Sequence, residues 1–292
     1  MKRIDDLQYE NLKIIQDTEE FRFGVDSVLL TEFARDIKQD STIVDLGTGN
    51  GILSILLCKK VKPKKIIGIE KQEKVFELCK ENIKLNNLEN QFEVINADVK
   101  DLICNKEKKD EMHKSLNTCN KDISKDNITP ELRIKKNKKI VQNQEENKSN
   151  YEKLDYKIIF EQVDTIVTNP PYKKLGTGVN AKNEIQQISR FESTATLDDW
   201  IKTSNKILKS KGSFYMVYRT DRLTELFAIL KKYKMEIKRI RFVYSNIKAE
   251  SNLVLIKAIK NARPYLKVEK PLIIYNEDGT YTEEILNNYK NN

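Results

Sequence analysis

Histidine is nearly absent from this chain, with His113 the only one among 292 residues. That scarcity excludes metal sites built from several imidazoles and removes the commonest carrier of acid–base chemistry. The four cysteines, Cys58, Cys79, Cys104 and Cys119, form no CxxC pair, so no zinc site is expected and no metal is called for. Cys58 and Cys79 fall within apolar helical patterns and read as small core residues. No apolar run reaches the ~20 residues that cross a bilayer, and no secretory leader is evident at the front. A reduced, cytoplasmic setting with no membrane partner is the expectation.

Hydrophobic residues at 39% and charged residues at 33% describe a globular protein with a hydrophilic surface. Lys and Arg outnumber Asp and Glu by 53 to 44, a net charge of +9. Such a balance favours a polyanionic partner through phosphate neutralisation, although a lysine-rich solvated surface accounts for the charge equally well.

Apolar runs alternate in period from Thr42 onward: strand at Thr42–Leu46, helix at Ile52–Val61, strand at Lys65–Glu70, helix at Glu73–Leu85, strand at Phe92–Ala97. That order predicts βαβ units and a parallel sheet. In the second helix Val75, Phe76, Cys79 and Ile83 recur at helical spacing, and Asn86 with Asn87 marks its end. The pattern resumes with a strand at Val163–Thr168, a helix at Leu197–Leu208 carrying the single Trp200, a strand at Gly212–Tyr218 and a helix at Arg222–Lys232. Met235–Tyr244 and Asn252–Ile259 then form an expected antiparallel hairpin. Residues 103–157, rich in Lys, Asn and Glu, read as a flexible or partly helical insertion. Residues 263–292 form a C-terminal extension with a strand candidate at Leu272–Tyr275 and a turn at Asp278–Gly279. The expected whole is a single α/β domain over 1–292, a Rossmann-like doubly wound sheet of seven strands with helices on both faces.

Val44-Asp45-Leu46-Gly47-Thr48-Gly49-Asn50-Gly51 joins the first strand of this series to its helix, where glycines let the backbone turn and approach a ligand. A dinucleotide fingerprint needs a third glycine at position 52, and Ile52 stands there, which disfavours a pyrophosphate cradle. Asp45 would repel phosphates yet suits the ammonium of an amino-acid moiety. Glu70, about 20 residues on, suits ribose hydroxyls, and Asp98 suits an adenine amine. The chemistry of the three acids points to S-adenosylmethionine, although any one alone reads equally as a capping or solvated carboxylate.

Val163–Thr168 runs directly into Asn169, Pro170, Pro171 and Tyr172. The prolines stop the strand and stiffen a turn, a sufficient structural reason for their presence. A functional reason is that an amine on an aromatic ring or an amide nitrogen delocalises its lone pair. The Asn169 side-chain oxygen and the Pro170 carbonyl are placed to accept its two N–H bonds and localise that pair, and Tyr172 is suited to stack on the planar target. The nitrogen becomes acidic only after methylation and sheds its proton to water, so no histidine base is needed.

Together these residues resemble the class I N6-adenine methyltransferases, most closely the bacterial family that methylates an adenine beside the anticodon of a valine tRNA. The resemblance implies a mostly parallel seven-stranded sheet with an antiparallel last strand, S-adenosylmethionine as cofactor, and tRNA as partner. The segment Phe21-Arg22-Phe23-Gly24-Val25-Asp26-Ser27-Val28-Leu29-Leu30 looks like that family's entry motif, which brings Phe23 and Asp26 to the cofactor. With them the implied cofactor set is Asp45, Gly47, Thr48, Gly49, Gly51, Glu70, Lys71, Asp98, Val99 and Asn169. The loop from Lys173 to Arg190, with Lys173, Lys174, Lys182 and Arg190, would border the target pocket beside Tyr172, or is an ordinary surface loop. A monomer is the expected state. The chain departs from the family in the size of its insertion and in Phe191, where relatives often place histidine. Methylation of a release-factor glutamine, of DNA adenine or of ribosomal guanine N2 stays open, as does an RNA-binding module without catalysis. About 40 residues precede the glycine loop, few for the helical substrate-binding domain of the glutamine enzymes.

Overall fold

The computed structural model describes residues 2–17, 25–102, 163–172 and 195–288. Of the described residues, 2–17, 25–100, 163–172 and 195–288 belong to one compact unit, and Asp101 and Leu102 are assigned to a second. The insertion read at 103–157 lies outside the described residues, as do Cys104, His113 and Cys119.

The first unit is built on a nine-stranded sheet. Its middle strands are β3 (Thr42–Leu46), β4 (Lys65–Glu70), β5 (Phe92–Asn96), β6 (Val163–Thr168) and β7 (Leu208–Arg219). β8 (Met235–Tyr244), β9 (Ser251–Lys260) and the two-residue strands β10 (Lys267–Val268) and β11 (Leu272–Ile273) complete it. Neighbouring strands run β10, β8, β9, β7, β6, β3, β4, β5, with β11 also on β8. The β3, β4, β5, β6 and β7 pairings are parallel, while β9 is antiparallel to both β7 and β8. Strands β3 to β9 are the seven expected, and β9, last of the seven in the chain, is the antiparallel one. The two short strands belong to the C-terminal extension, which lays its backbone along the outer edge of β8 and so covers unpaired groups there. A separate hairpin, β1 (Lys2–Asp6) with β2 (Lys13–Asp17), precedes the sheet; no expectation was placed on those residues.

β3 and β6 are buried along nearly their whole length, as parallel strands covered on both faces must be, and this is why they read as continuous β-branched and apolar runs. Helices α1 (Val25–Phe33), α2 (Ile52–Lys60) and α3 (Glu73–Leu85) come before β6, and α4 (Leu197–Ile207), α5 (Leu223–Lys232) and α6 (Glu283–Asn288) after it. In α3 Val75, Cys79 and Ile83 are buried as the spacing predicts, and Asn87 ends the helix in the left-handed conformation, φ 54°. The same helix buries Asn82 completely. Its side chain accepts the Ile15 N–H at 2.6 Å and donates to the Ile15 and Asn50 carbonyls at 3.1 and 2.9 Å. One amide thereby ties the N-terminal hairpin to the glycine loop. α4 begins on a capping box, Thr196 with Asp199, which satisfies amides the first turn leaves open.

β7 starts four residues earlier than its apolar pattern suggests. A register shift opposite Val163–Thr165 admits Lys209–Gly212 as a bulge, and the Lys209 ammonium meets Asp164 at 2.7 Å. Such an irregularity hides a strand start from a period-two reading.

Candidate active site

In chain order the sheet grows outward from β3 through β4 to β5, then returns to β6 on the other side of β3. The β3/β6 junction is therefore the switch point, beyond whose strand carboxyl ends open α/β sheets bind their ligands. The register pairs Leu46 with Thr168, and the Thr168 hydroxyl donates to the Leu46 carbonyl at 2.9 Å. Gly47 and Asn169 are the next residues on each strand, so the glycine loop and the Asn-Pro-Pro-Tyr turn leave the sheet side by side, about 5 Å apart by strand spacing.

Three glycines of the loop have positive φ, Gly47 at 69°, Gly49 at 60° and Gly51 at 88°, but they serve different ends. A Cβ on Gly47 would lie 2.7 Å from the Trp200 ring, while one on Gly49 would meet nothing within 4 Å. Gly47 is thus a packing glycine against α4, and Gly49 faces open space.

Asp45 is buried beneath this loop. One carboxylate oxygen accepts the Thr48 and Ser54 hydroxyls, each at 2.7 Å, and the other, Oδ1, has no partner among the described residues. Burial pushes its carboxyl up to about 6 against those two hydrogen bonds, and the charge of Glu70 adds to the rise. A buried carboxylate with one oxygen unsatisfied suits a cationic ligand, because an ammonium there would supply both the missing hydrogen bond and the missing charge. Glu70 is also buried and its carboxyl is raised by that burial. Its oxygens accept the Gly49 amide at 3.1 Å and the Gln72 amide at 2.8 Å. The Lys71 amide is a further donor to this carboxylate, which with about four lone-pair sites keeps capacity for a hydroxyl. Asp98, one strand further, is bonded to the Lys71 ammonium at 2.8 Å and the Lys100 amide at 2.9 Å. Burial raises its carboxyl, and these partners outweigh it and hold it below the ordinary value. Val99 is buried, and its carbonyl accepts the Thr203 hydroxyl at 3.1 Å.

On the other side of the crevice the Asn169 amide donates to the Ser27 hydroxyl at 3.3 Å. The Tyr172 hydroxyl donates to the Asn169 Oδ1 and also faces the Asp26 carboxylate at 3.2 Å. Burial and then the Asp26 charge push the Tyr172 phenol well up, so it keeps its proton. Burial likewise raises the Asp26 carboxyl. The Tyr172 ring stands edge-on to Tyr218, centroids 5.9 Å apart. In this conformation its acceptor-bound hydroxyl and its ring are both engaged within the protein.

The structure thus brings Asp26, Asp45, Gly47, Thr48, Gly49, Gly51, Glu70, Lys71, Asp98, Val99, Asn169, Pro170, Pro171 and Tyr172 to one edge of the sheet. Phe23, Lys173, Lys174, Lys182 and Arg190 lie outside the described residues. Sequence reasoning missed Ser27, Ser54, Trp200, Tyr218 and Arg222. Ser54 had a local signal, a hydroxyl in the first turn after the loop, and Ser27 lay beside Asp26 in the entry segment; Trp200, Tyr218 and Arg222 are distant in the chain and carried none. Among the described residues no group of histidines, cysteines and carboxylates has the arrangement of a metal site, and no helix is long and apolar enough to cross a membrane.

A family model described as the TRM5/TYW2 methyltransferase domain matches residues 29–173, the span from α1 through the glycine loop to the Asn-Pro-Pro-Tyr turn. The chain is a class I S-adenosylmethionine-dependent methyltransferase. This methyltransferase is 22% identical over 282 residues, 95% of its length and 94% of the relative's, to the tRNA1(Val) (adenine(37)-N6)-methyltransferase of Haemophilus influenzae. A putative protein N5-glutamine methyltransferase of Methanocaldococcus jannaschii is 34% identical over a shorter span, 30% of this chain and 43% of that one. In fold the methyltransferase resembles a predicted O-methyltransferase, Atu636 from Agrobacterium tumefaciens, at TM-score 0.57 and 17% identity, covering 90% of this chain and 95% of that one. It also resembles M. jannaschii TYW2 in complex with AdoMet, at TM-score 0.50 and 14% identity, with 88% and 85% covered. The unpartnered Asp45 oxygen and the open face of Gly49 fit the methionyl ammonium and the close passage of such a cofactor, and Glu70 fits its ribose.

Proposed function

We propose that this methyltransferase modifies the N6 amine of an adenine in tRNA, at the position beside the anticodon for which the Haemophilus relative is named. The observation that carries the reading is the adjacency of the two loops across the Leu46/Thr168 register. In this reading the Asn169 side chain and the Pro170 carbonyl act as a pair of oxygen acceptors beside the bound cofactor. S-adenosylmethionine, when bound, supplies the electrophilic methyl group.

The work of the protein is then positional. An adenine amine is planar because its lone pair is shared with the ring, and two acceptors on its N–H bonds draw that pair out of conjugation. Asn169 Oδ1 is engaged by the Tyr172 hydroxyl, so an incoming amine has to displace that hydroxyl. Asp26 lies 3.2 Å from it, and the displaced group keeps an acceptor. The methylated nitrogen releases its proton to water. Lys173, Lys174, Lys182 and Arg190 follow the turn in sequence and are proposed to hold phosphates of the RNA, consistent with the net charge of +9.

A second reading has its own support in the Methanocaldococcus relative: an amide nitrogen of glutamine is planar for the same reason and would meet the same acceptors. Incubation with labelled cofactor and, separately, tRNA, ribosomal RNA, duplex DNA and a release factor, followed by digestion of the product, decides between them. N6-methyladenine from tRNA is the expected product. Label confined to glutamine would transfer the assignment to a protein substrate.

A further inference from the structure

Pro170 and Pro171 have no N–H to donate, so the turn after β6 cannot be fixed by a backbone ladder and needs side chains from elsewhere. Two come from α1, Asp26 and Ser27. The third support comes from the end of β7. Arg222 closes the 3-10 turn Thr220–Arg222 with its side chain only 12% exposed. Its Nη1 donates to the Tyr172 carbonyl at 3.2 Å. Its Nε and Nη2 donate to the two Glu225 oxygens, each at 3.0 Å. Its guanidinium lies 5.3 Å from the Tyr218 ring centre, the same ring that meets Tyr172 edge-on.

From this geometry we infer that Arg222 is a positioning residue for methyl transfer: held by Glu225 and Tyr218, it fixes the Tyr172 carbonyl and with it the turn that carries Asn169. The inference rests on the reading that this turn holds the acceptor amine. Guanidinium suits the task because its planar fork serves a carboxylate on one edge, a carbonyl on another and an aromatic ring beside it, whereas a lysine ammonium is a point charge. Arg222 acts through the turn and touches neither cofactor nor amine in this account.

Two measurements on the full chain test it. The first is hydrogen exchange of the peptide spanning residues 163–172 in wild type, Arg222→Ala, Arg222→Lys and the control Lys232→Ala, which removes an exposed ion pair between α5 and Asp198 of α4. Faster exchange in the turn is expected for Arg222→Ala, an intermediate rate for Arg222→Lys, and no change for the control. The second is single-turnover transfer at saturating cofactor. Arg222→Ala is expected to slow it about 10- to 100-fold, the size of effect a displaced acceptor gives, with cofactor Kd within about twofold of wild type. Its loss should not multiply with that of Asn169→Ala, since both act on one acceptor.

Unchanged exchange in the turn, losses that multiply, or loosening spread through β7 and α5 with a matching fall in cofactor affinity would each overturn the inference. If no nitrogen acceptor is methylated by wild type, the functional reading fails, and the exchange comparison still decides whether Arg222 holds the turn. If Asn169→Ala is inactive and Arg222→Ala is fully active, the functional reading survives and this inference does not.

Discussion

The two halves of the crevice are built differently. At the ends of β3, β4 and β5 the groups proposed to face the cofactor are held largely from within a short stretch of chain: Asp45 by Thr48 and Ser54, Glu70 by Gln72 and Gly49, Asp98 by Lys100 and Lys71. At the end of β6 the turn that faces the acceptor is held from afar, by Asp26 and Ser27 near the front of the chain and Arg222 some 50 residues beyond. A cofactor site held locally is preformed once its strands pair. The proposed acceptor site, propped by α1 on one side and the residues after β7 on the other, is correct only when these distant segments have docked, and in the proposed reaction the Tyr172 hydroxyl moves to admit substrate.

The sharpest break of this comparison is Asn169→Ala. It removes a side-chain acceptor from the distant half and leaves the local half intact, so turnover should fall about 100- to 1000-fold, the usual loss for one preorganised partner. Cofactor Kd by calorimetry should stay near wild type. A variant that turns over normally would sink the acceptor-pair mechanism.

Next in size is a pair of glycine substitutions within the local half. Gly47→Ala places a Cβ 2.7 Å from the Trp200 ring at φ 69°, and overpacking with left-handed strain should cost about 2–4 kcal/mol of stability in urea unfolding. Gly49→Ala meets nothing, so only the strain of about 1–2 kcal/mol applies to folding, and its larger effect should be weaker cofactor binding. If both lower stability equally and neither affects the cofactor, the division of labour between these glycines is wrong.

Proton linkage gives a smaller effect. The folded Asp45 carboxyl titrates at about 6 against an ordinary 3.8, so the native chain holds this proton more tightly than the unfolded one. The stability this contributes is fully present below about pH 4 and is lost as pH rises through about 6. An ammonium at Oδ1 favours the ionised form, so cofactor affinity should rise between about pH 5 and pH 7, by at most about tenfold per pH unit. Asp45→Asn should flatten that dependence as well as weaken binding, and a slope that persists in the variant points to another group. The smallest change expected is for Lys71→Ala. Its pair with Asp98 has a lysine side chain 46% exposed, and such pairs contribute roughly 0.2–1 kcal/mol. A change in cofactor Kd above about fivefold would show that Lys71 does more than hold Asp98.

The same contrast explains how much could be read in advance. The local half was legible because its information is contiguous: a β-branched strand, glycines with an acid before them, and a second acid one βα unit later. The distant half was legible only as Asn-Pro-Pro-Tyr, whose prolines announce a turn. Nothing in the spacing of Ser27, Tyr218 or Arg222 pairs them with the turn, 46 to 142 positions away. The start of β7 was misplaced for a related reason, since a bulge opposite Val163–Thr165 has no periodic signal. Tyr172 was expected to offer its face to a target; the structure turns its ring to Tyr218 and its hydroxyl to Asn169 and Asp26.

By itself the sequence determined the alternation of strands and helices, the glycine loop with acids at the strand ends and the proline turn after β6, because hydrophobic period, glycine freedom and proline rigidity act over a few residues. Only the tertiary structure decided that Gly47 and Asn169 emerge side by side, that one oxygen of Asp45 is left without a partner, and that Arg222 reaches the Tyr172 carbonyl. Those are consequences of strand order and register, which bring together segments that chain-local forces cannot relate.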